Sequence, residues 1–310
     1  MPRDFLQIDW DDATADDCRQ LVQLAVREDL ERELDWTTVA LVPAERVGAA
    51  SIVARQPGVV AGMRAIAVAI DQMGAELAID SAAVDGQSIA GGAPLARLAG
   101  RVRDLLTCER ILLNLLGRMM GIATQARAYV DRIAGTGAHI YDTRKTTPGW
   151  RRLEKYAVRC GGGRNHRTGL YDAILIKDNH LAQSSIAGRT SGEIAAAAVR
   201  QARQFLAEHA AAGHSPGGLL LEVEVDSLEQ LAAVLPERPE IVLLDNMSLV
   251  QLREAVALRD STAPSVELEA SGGVNLDTVR GIAETGVERI SVGALTHAAR
   301  SLDVGLDWAY

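Results

Sequence analysis

The chain has 310 residues and a formal net charge of −9; 48% of its residues are hydrophobic and only 4% aromatic. That length holds one large α/β domain or two smaller ones around a core of Ala, Leu, Val and Ile, and the acidic balance argues against nucleic-acid binding driven by phosphate neutralisation. No apolar run approaches the roughly 18 residues of a membrane span. The acidic amino terminus has no apolar core, and the three cysteines lack CxxC spacing; the expectation is a cytoplasmic protein with reduced thiols.

In chain order, apolar spacing predicts an amphipathic helix over residues 14–31, with Leu21, Leu24, Ala25 and Leu30 on its stripe. Strand-like runs follow at 47–54, 76–82 and 93–100, with a helix at 63–73 and Gly/Pro turn signals between. This front part reads as a small mixed sheet with covering helices. A helical pattern then runs from 104 to 134, with a break expected at Gly117 or Gly121, and a domain boundary is placed at 113/114. Beyond it, over 114–295, six apolar runs (139–142, 173–176, 219–225, 241–244, 266–270 and 289–293) alternate with helical patterns at 190–210, 227–235, 248–259 and 275–285. Such alternation implies parallel βαβ units. The runs end in charge or glycine: Asp142–Lys145, Lys177–Asn179, Glu224–Asp226, Asp245-Asn246, Ser271-Gly272-Gly273 and Gly293-Ala294. Polar groups at the carboxyl ends of many strands are the habit of (β/α) barrels, here an incomplete, open one of about six or seven strands. The stretch 181–218 is long and polar, and a helix flanked by surface loops is expected there.

Charge is segregated. All three lysines, Lys145, Lys155 and Lys177, fall within residues 142–180, where nine basic residues face four acidic ones, a balance of +5 that leaves −14 for the remainder. An anion site explains this; a solvated basic helix face is the alternative for Arg151, Arg152, Lys155 and Arg159. ASGGV (270–274) and SVGAL (291–295) place glycine and a helix start where backbone N–H groups can meet a phosphate. Glu222, Glu224 and Asp226 share one parity, and Asp245 ends the next strand. Glu224 with Asp245 can hold sugar hydroxyls and a magnesium ion, or form an internal salt bridge. GGGRNHR (161–167) lacks the spacing of a dinucleotide loop, but His166 and Arg167 offer an imidazole and a fork to a planar dicarboxylate. His139, His209 and His214 have no such context. Lys177 at a strand end also admits a Schiff-base reading.

TRKTTPGWR, GGGRNHRTGLYDAILIKDNH, LEVEVDS, LLDNM, LEASGGV and ISVGALTH, in order from about residue 20 onward, resemble the quinolinate phosphoribosyltransferases. The resemblance implies an α/β sandwich over 1–113 completed by 296–310, an open barrel over 114–295, and a homodimer with shared active sites. It implies transfer of phosphoribosyl from phosphoribosyl pyrophosphate to quinolinate with loss of carbon dioxide, for NAD synthesis, with Mg2+ as cofactor. Carried over by position, Arg144, His166, Arg167 and Lys177 surround quinolinate, and Lys145 lies between it and the pyrophosphate. Arg110 is lent to a neighbouring subunit, Glu224 and Asp245 bind ribose and metal, and Ser271, Gly272, Gly293 and Ala294 cradle the 5-phosphate. EDLERELDWTT departs from the glycine-rich turn usual in the family. Two rivals stand beside this: a paralogous barrel associated with molybdate transport, and a non-catalytic barrel that binds phosphorylated metabolites. The carboxylate-binding set weighs against the first, and Glu224, Asp245 and the three lysines against the second.

Overall fold

A computed structural model describes residues 4–183, 190–211 and 219–308. Parts of the 181–218 stretch, His214 among them, lie outside the described residues. The chain runs α1 (Asp12–Leu30), α2 (Trp36–Leu41), β1 (Val47–Ala54), β2 (Gly58–Val59), α3 (Met63–Gln72), β3 (Leu77–Ser81), β4 (Ser88–Ile89), β5 (Pro94–Arg101) and α4 (Val102–Arg132). It continues as β6 (His139–Tyr141), α5 (Arg151–Cys160), β7 (Ala173–Ile176), α6 (Asp178–Ala182), α7 (Ser191–Ala211), β8 (Leu220–Val225), α8 (Leu228–Val234), β9 (Ile241–Asp245) and α9 (Leu249–Thr262). The remainder is β10 (Glu267–Ser271), α10 (Val279–Ala283), β11 (Arg289–Ser291), α11 (Ala294–His297) and β12 (Val304–Trp308).

Two compact units result. One holds Tyr129–Arg144 and Arg164–Gly293 with the amino-terminal segment through Gln7; the other holds Ile8–Ala128, Lys145–Gly163 and the chain from Ala294. This partition differs from a cut at residue 113, which falls inside α4. The basic segment is itself divided: Arg144 belongs to the first unit, Lys145 to the second.

The second unit is built on an antiparallel sheet in the order β12-β1-β5-β3. Strand alternation buries Ala50, Ile52 and Ala54 of β1 on one face. Helix α1 is capped by Asp11, whose carboxylate accepts from Thr14 N–H at 2.8 Å. Its buried face is Thr14, Ala15, Cys18 and Val22, while Leu24 is exposed. The expected leucine stripe is thus displaced, because the small-residue side lets α3 and α5 approach closely.

Helix α4 also departs from expectation, being unbroken over 31 residues. Its glycines are there for contact, not for a kink. A Cβ at Gly121 would collide with the Arg300 carbonyl oxygen, and one at Gly117 would lie 2.9 Å from the Leu302 oxygen; Leu302 N–H donates to Gly117 O at 2.8 Å. Segment 300–302 therefore rests directly on the helix backbone. Gly121→Ala is expected to lower unfolding free energy by about 1–3 kcal/mol despite alanine's better helix propensity. An unchanged urea midpoint would mean that the segment withdraws at no cost.

The first unit is a parallel sheet of six strands, ordered β6-β11-β10-β9-β8-β7 and covered by helices. Among the described residues no strand joins β6 to β7, and β6 meets only a bridge from Tyr141 to Arg164 on its outer edge. It is an open (β/α) barrel. Val223, Val225, Val242, Leu244, Leu268, Ala270 and Ile290 are buried at one strand parity, as expected where helices cover a parallel sheet. The opposite parity carries the chemistry. Leu175 pairs with Glu222, so Lys177, two residues on, comes level with Glu224, and Asp245 pairs with Ser271.

Candidate active site

At the carboxyl ends of β7 to β10, five of the expected residues come together. Lys177 caps α6, its N–H donating to His180 Nδ1 at 2.9 Å, and its ammonium pairs with Glu224. The internal salt bridge foreseen as an alternative for Glu224 is therefore present. Lys177 is 41% exposed and Glu224 13%, so the pair sits where water competes with it and separating it costs little. Asp245 accepts from the Asn246 side chain at 2.8 Å. Asn246 takes a left-handed conformation, φ 54°, and its N–H donates to Ser271 O at 2.9 Å, binding the ends of β9 and β10 together. Gly272 follows at φ 95°, with no room for a Cβ against the Asn246 side chain. Glycine is thus required twice over at this turn. Gly293 follows β11 and closes the unit.

Deeper in the same barrel lies a charged layer. Asp142, fully buried at the end of β6, accepts from His166 N–H at 2.9 Å and from the Asn165 side chain at 2.7 Å. These bonds fix the Asn165-His166-Arg167 segment. Arg167 is buried; desolvation, and then the charge of nearby Arg144, lower its pKa. Glu222 and Asp172 act the other way, so Arg167 stands among charges of both signs.

His166 Nε2 lies 3.0 Å from Glu222 and 3.4 Å from Glu269, all three being buried. Burial disfavours charge on the ring, but the two carboxylates outweigh it and raise its pKa to about 9. Arg167 N–H approaches Nδ1 at 2.8 Å. The carboxylates favour an imidazolium and the amide a bare Nδ1; both leave a proton on Nε2, facing the carboxylates. Glu269 is also held by Arg289 Nε at 2.9 Å and by the Ser291 hydroxyl. Burial pushes its pKa up, and His166 and Arg289 more than reverse this. Arg289, 1% exposed, bonds Glu267 at 3.1 Å and lies 3.7 Å over the Tyr141 ring.

The ligand atoms of His166, Glu222 and Glu269 are close enough for a metal, but Arg289 and Ser291 already engage Glu269. Glu224 and Asp245 suit a hard cation better: they are partly exposed oxygen ligands, and magnesium keeps several waters and substrate oxygens. Sequence reasoning noted Asp142 only as a strand end and missed Glu269 and Arg289. Period-2 alternation in the run 266–270, with Glu267 and Glu269 on one parity, was the available signal.

Lys145, Ala294 and Arg110 belong to the second unit. Lys145 is exposed, and its carbonyl accepts from Thr296 Oγ1 at 2.7 Å. The loop after it is anchored by Glu154, fully buried, which takes Arg118 at 2.6 Å and Thr147 Oγ1 at 2.9 Å. Gln125 donates to the Ala294 carbonyl at 2.7 Å. Arg110 is exposed on α4 beside buried Ile111, Leu112 and Leu115, with no hydrogen bond or ion pair to any described residue. Lys155, half-expected on a solvated face, is fully buried, whereas Arg152 pairs with Asp17 at 3.4 Å.

Comparison with known proteins gives one answer along the chain. Residues 122–307 match the C-terminal domain, and residues 35–120 the N-terminal domain, of quinolinate phosphoribosyl transferase. The nicotinate-nucleotide pyrophosphorylase [carboxylating] of Mycobacterium leprae is 46% identical over 301 residues, spanning 96% of this chain and 99% of that protein. The chloroplastic enzyme of that name from Oryza sativa subsp. japonica is 36% identical over 305 residues, 94% and 77% respectively. The structure of the nicotinate-nucleotide pyrophosphorylase from Francisella tularensis superposes with a TM-score of 0.85 at 31% identity, covering 99% of this chain and 100% of that one.

Proposed function

The chain belongs to the quinolinate phosphoribosyl transferase family, and from that membership we propose that it transfers phosphoribosyl from phosphoribosyl pyrophosphate to quinolinate. The products are nicotinate mononucleotide, pyrophosphate and carbon dioxide, so the enzyme is a pentosyltransferase of NAD synthesis. The observation that carries this reading is buried Arg167, on a segment fixed by Asp142 and with the charge of Arg144 nearby, in an otherwise acidic protein. A planar dianion answers that geometry with two forked contacts.

Arg144, His166, Arg167 and Lys177 surround the two carboxylates of quinolinate. Ser271, Gly272, Gly293 and Ala294 take the 5-phosphate through backbone N–H groups. Glu224 and Asp245 bind the ribose hydroxyls and would hold a magnesium ion, whose charge offsets that of the departing pyrophosphate. With quinolinate oriented, its ring nitrogen displaces pyrophosphate at the anomeric carbon through an oxocarbenium-like state. Lys145 and Lys177 lower the energy of the charge that develops on the leaving group. The glycosylated ring is cationic, so the electron pair left by losing the adjacent carboxylate rests beside a positive nitrogen. Protonation of that carbon completes the step.

Arg110, with no partner among the described residues, reaches the site of a second copy in a homodimer. No helix of the described residues is long and apolar enough to cross a membrane. Carbon dioxide is expected from quinolinate only when phosphoribosyl pyrophosphate and magnesium are both present, measured as label released from quinolinate carboxyl-labelled at the 2-position. Release without the sugar donor would sink the mechanism.

A further inference from the structure

The amino-terminal residues make a short strap into the barrel. Phe5, 4% exposed, packs with Tyr141, Ala173, Leu220 and Ile241. Three of these are the first residues of β7, β8 and β9, so the strap closes the end opposite Lys177 and Asp245. An apolar plug would need no more than that bulk, yet this strap touches His166 and also bonds residues beside it. The Phe5 ring stacks on the His166 imidazole, centroids 4.3 Å apart and planes 29° from parallel. Gln7 holds the backbone of Asn165 in both directions, accepting its N–H at 2.9 Å and donating to its carbonyl at 3.0 Å. Asp4 accepts from Arg289 at 3.0 Å and from the Tyr141 hydroxyl at 3.0 Å, and Arg289 in turn bonds the Glu269 carboxylate that faces His166.

We propose that the strap, through Phe5, is a positioning element for His166 and hence for Arg167, whose amide lies against the same ring. Phe5 touches no substrate; it is a positioning residue. Glu222 and Glu269 hold one edge of the imidazole, the Arg167 amide the other, and Phe5 covers a face that would otherwise let the ring rotate. This rests on the reading above that His166 and Arg167 meet quinolinate, and it predicts an effect on that substrate alone.

Phe5→Ala is expected to raise KM for quinolinate about 10-fold, with KM for phosphoribosyl pyrophosphate changed less than about 2-fold, the signature of a misplaced binding group. Phe5→Leu, which keeps apolar volume without a ring face, should give an intermediate rise, and Phe5→Tyr should restore the wild-type value. The leucine variant carries the test if the alanine variant does not fold. Unchanged quinolinate KM in a folded variant, or equal losses on both substrates, would overturn the proposal. A second readout is independent of turnover: the side-chain N–H resonance of His166, expected to be protected in the parent protein because the ring is buried, should be lost by exchange in Phe5→Leu. If the parent enzyme leaves quinolinate unchanged, the functional reading fails, and this resonance still decides the role of the strap. Its persistence in the variant would refute it.

Discussion

Lys177→Ala is expected to lower turnover by a factor of about 10²–10³, the range for removing one stabiliser of transition-state charge. The lysine stands at a strand end with its ammonium on Glu224 and two-fifths of its side chain in solvent. Lys177→Arg should not rescue fully, since a planar fork cannot occupy the place of a point charge beside a packed carboxylate. The same loss is expected for Lys145→Ala. Steady-state kcat at saturating substrates measures all of these; near-normal rates for the arginine variants would make the lysine clustering accidental.

The second large effect concerns Arg110. It is exposed on α4 beside buried Ile111, Leu112 and Leu115 and makes no hydrogen bond or ion pair to a described residue; the alternative role is an arginine lying along that apolar face. Arg110→Ala and Lys177→Ala should each be nearly inactive. Denatured together and refolded, random reassociation makes about half the dimers mixed, each with one intact site, so roughly a quarter of wild-type activity should return. An arginine acting within its own chain leaves a lesion in every site. No recovery, with mixed dimers demonstrated by mass, would refute a shared site.

Much of this was legible in the residues. Strand runs at 47–54 and 173–176 coincide with β1 and β7, because β-branched and apolar runs between turn residues have few other uses. The polar strand ends Lys177, Glu224, Asp245 and Ser271 converge because a parallel barrel delivers every strand end to one face. What failed did so for tertiary reasons. Gly117 and Gly121 looked like breaks, but the helix continues, since what glycine supplies there is room for a segment nearly 180 residues later. The solvated basic face that stood as the alternative for Lys155 does not hold, since the residue is buried. The Glu222–His166–Glu269–Arg289 layer stayed hidden, because sequence spacing reports parity on one strand and not which strands face one another. Phe5 lay in a stretch with no periodic pattern.

The pairing of β12 with β1 sets an order on the birth of the protein. Ala50 lies opposite Trp308, 258 residues later. During synthesis at roughly 5–20 residues per second, β1 waits on the order of tens of seconds for its neighbour. Through that interval its edge is a row of unpaired backbone groups of the kind that recruits other strands. Folding of this sheet therefore finishes after translation of β12, and its long-range pairing makes it the slow step. A chain cut short near residue 300 would lack β12 and leave the β1 edge unpaired, a substrate for chaperones and a seed for aggregation.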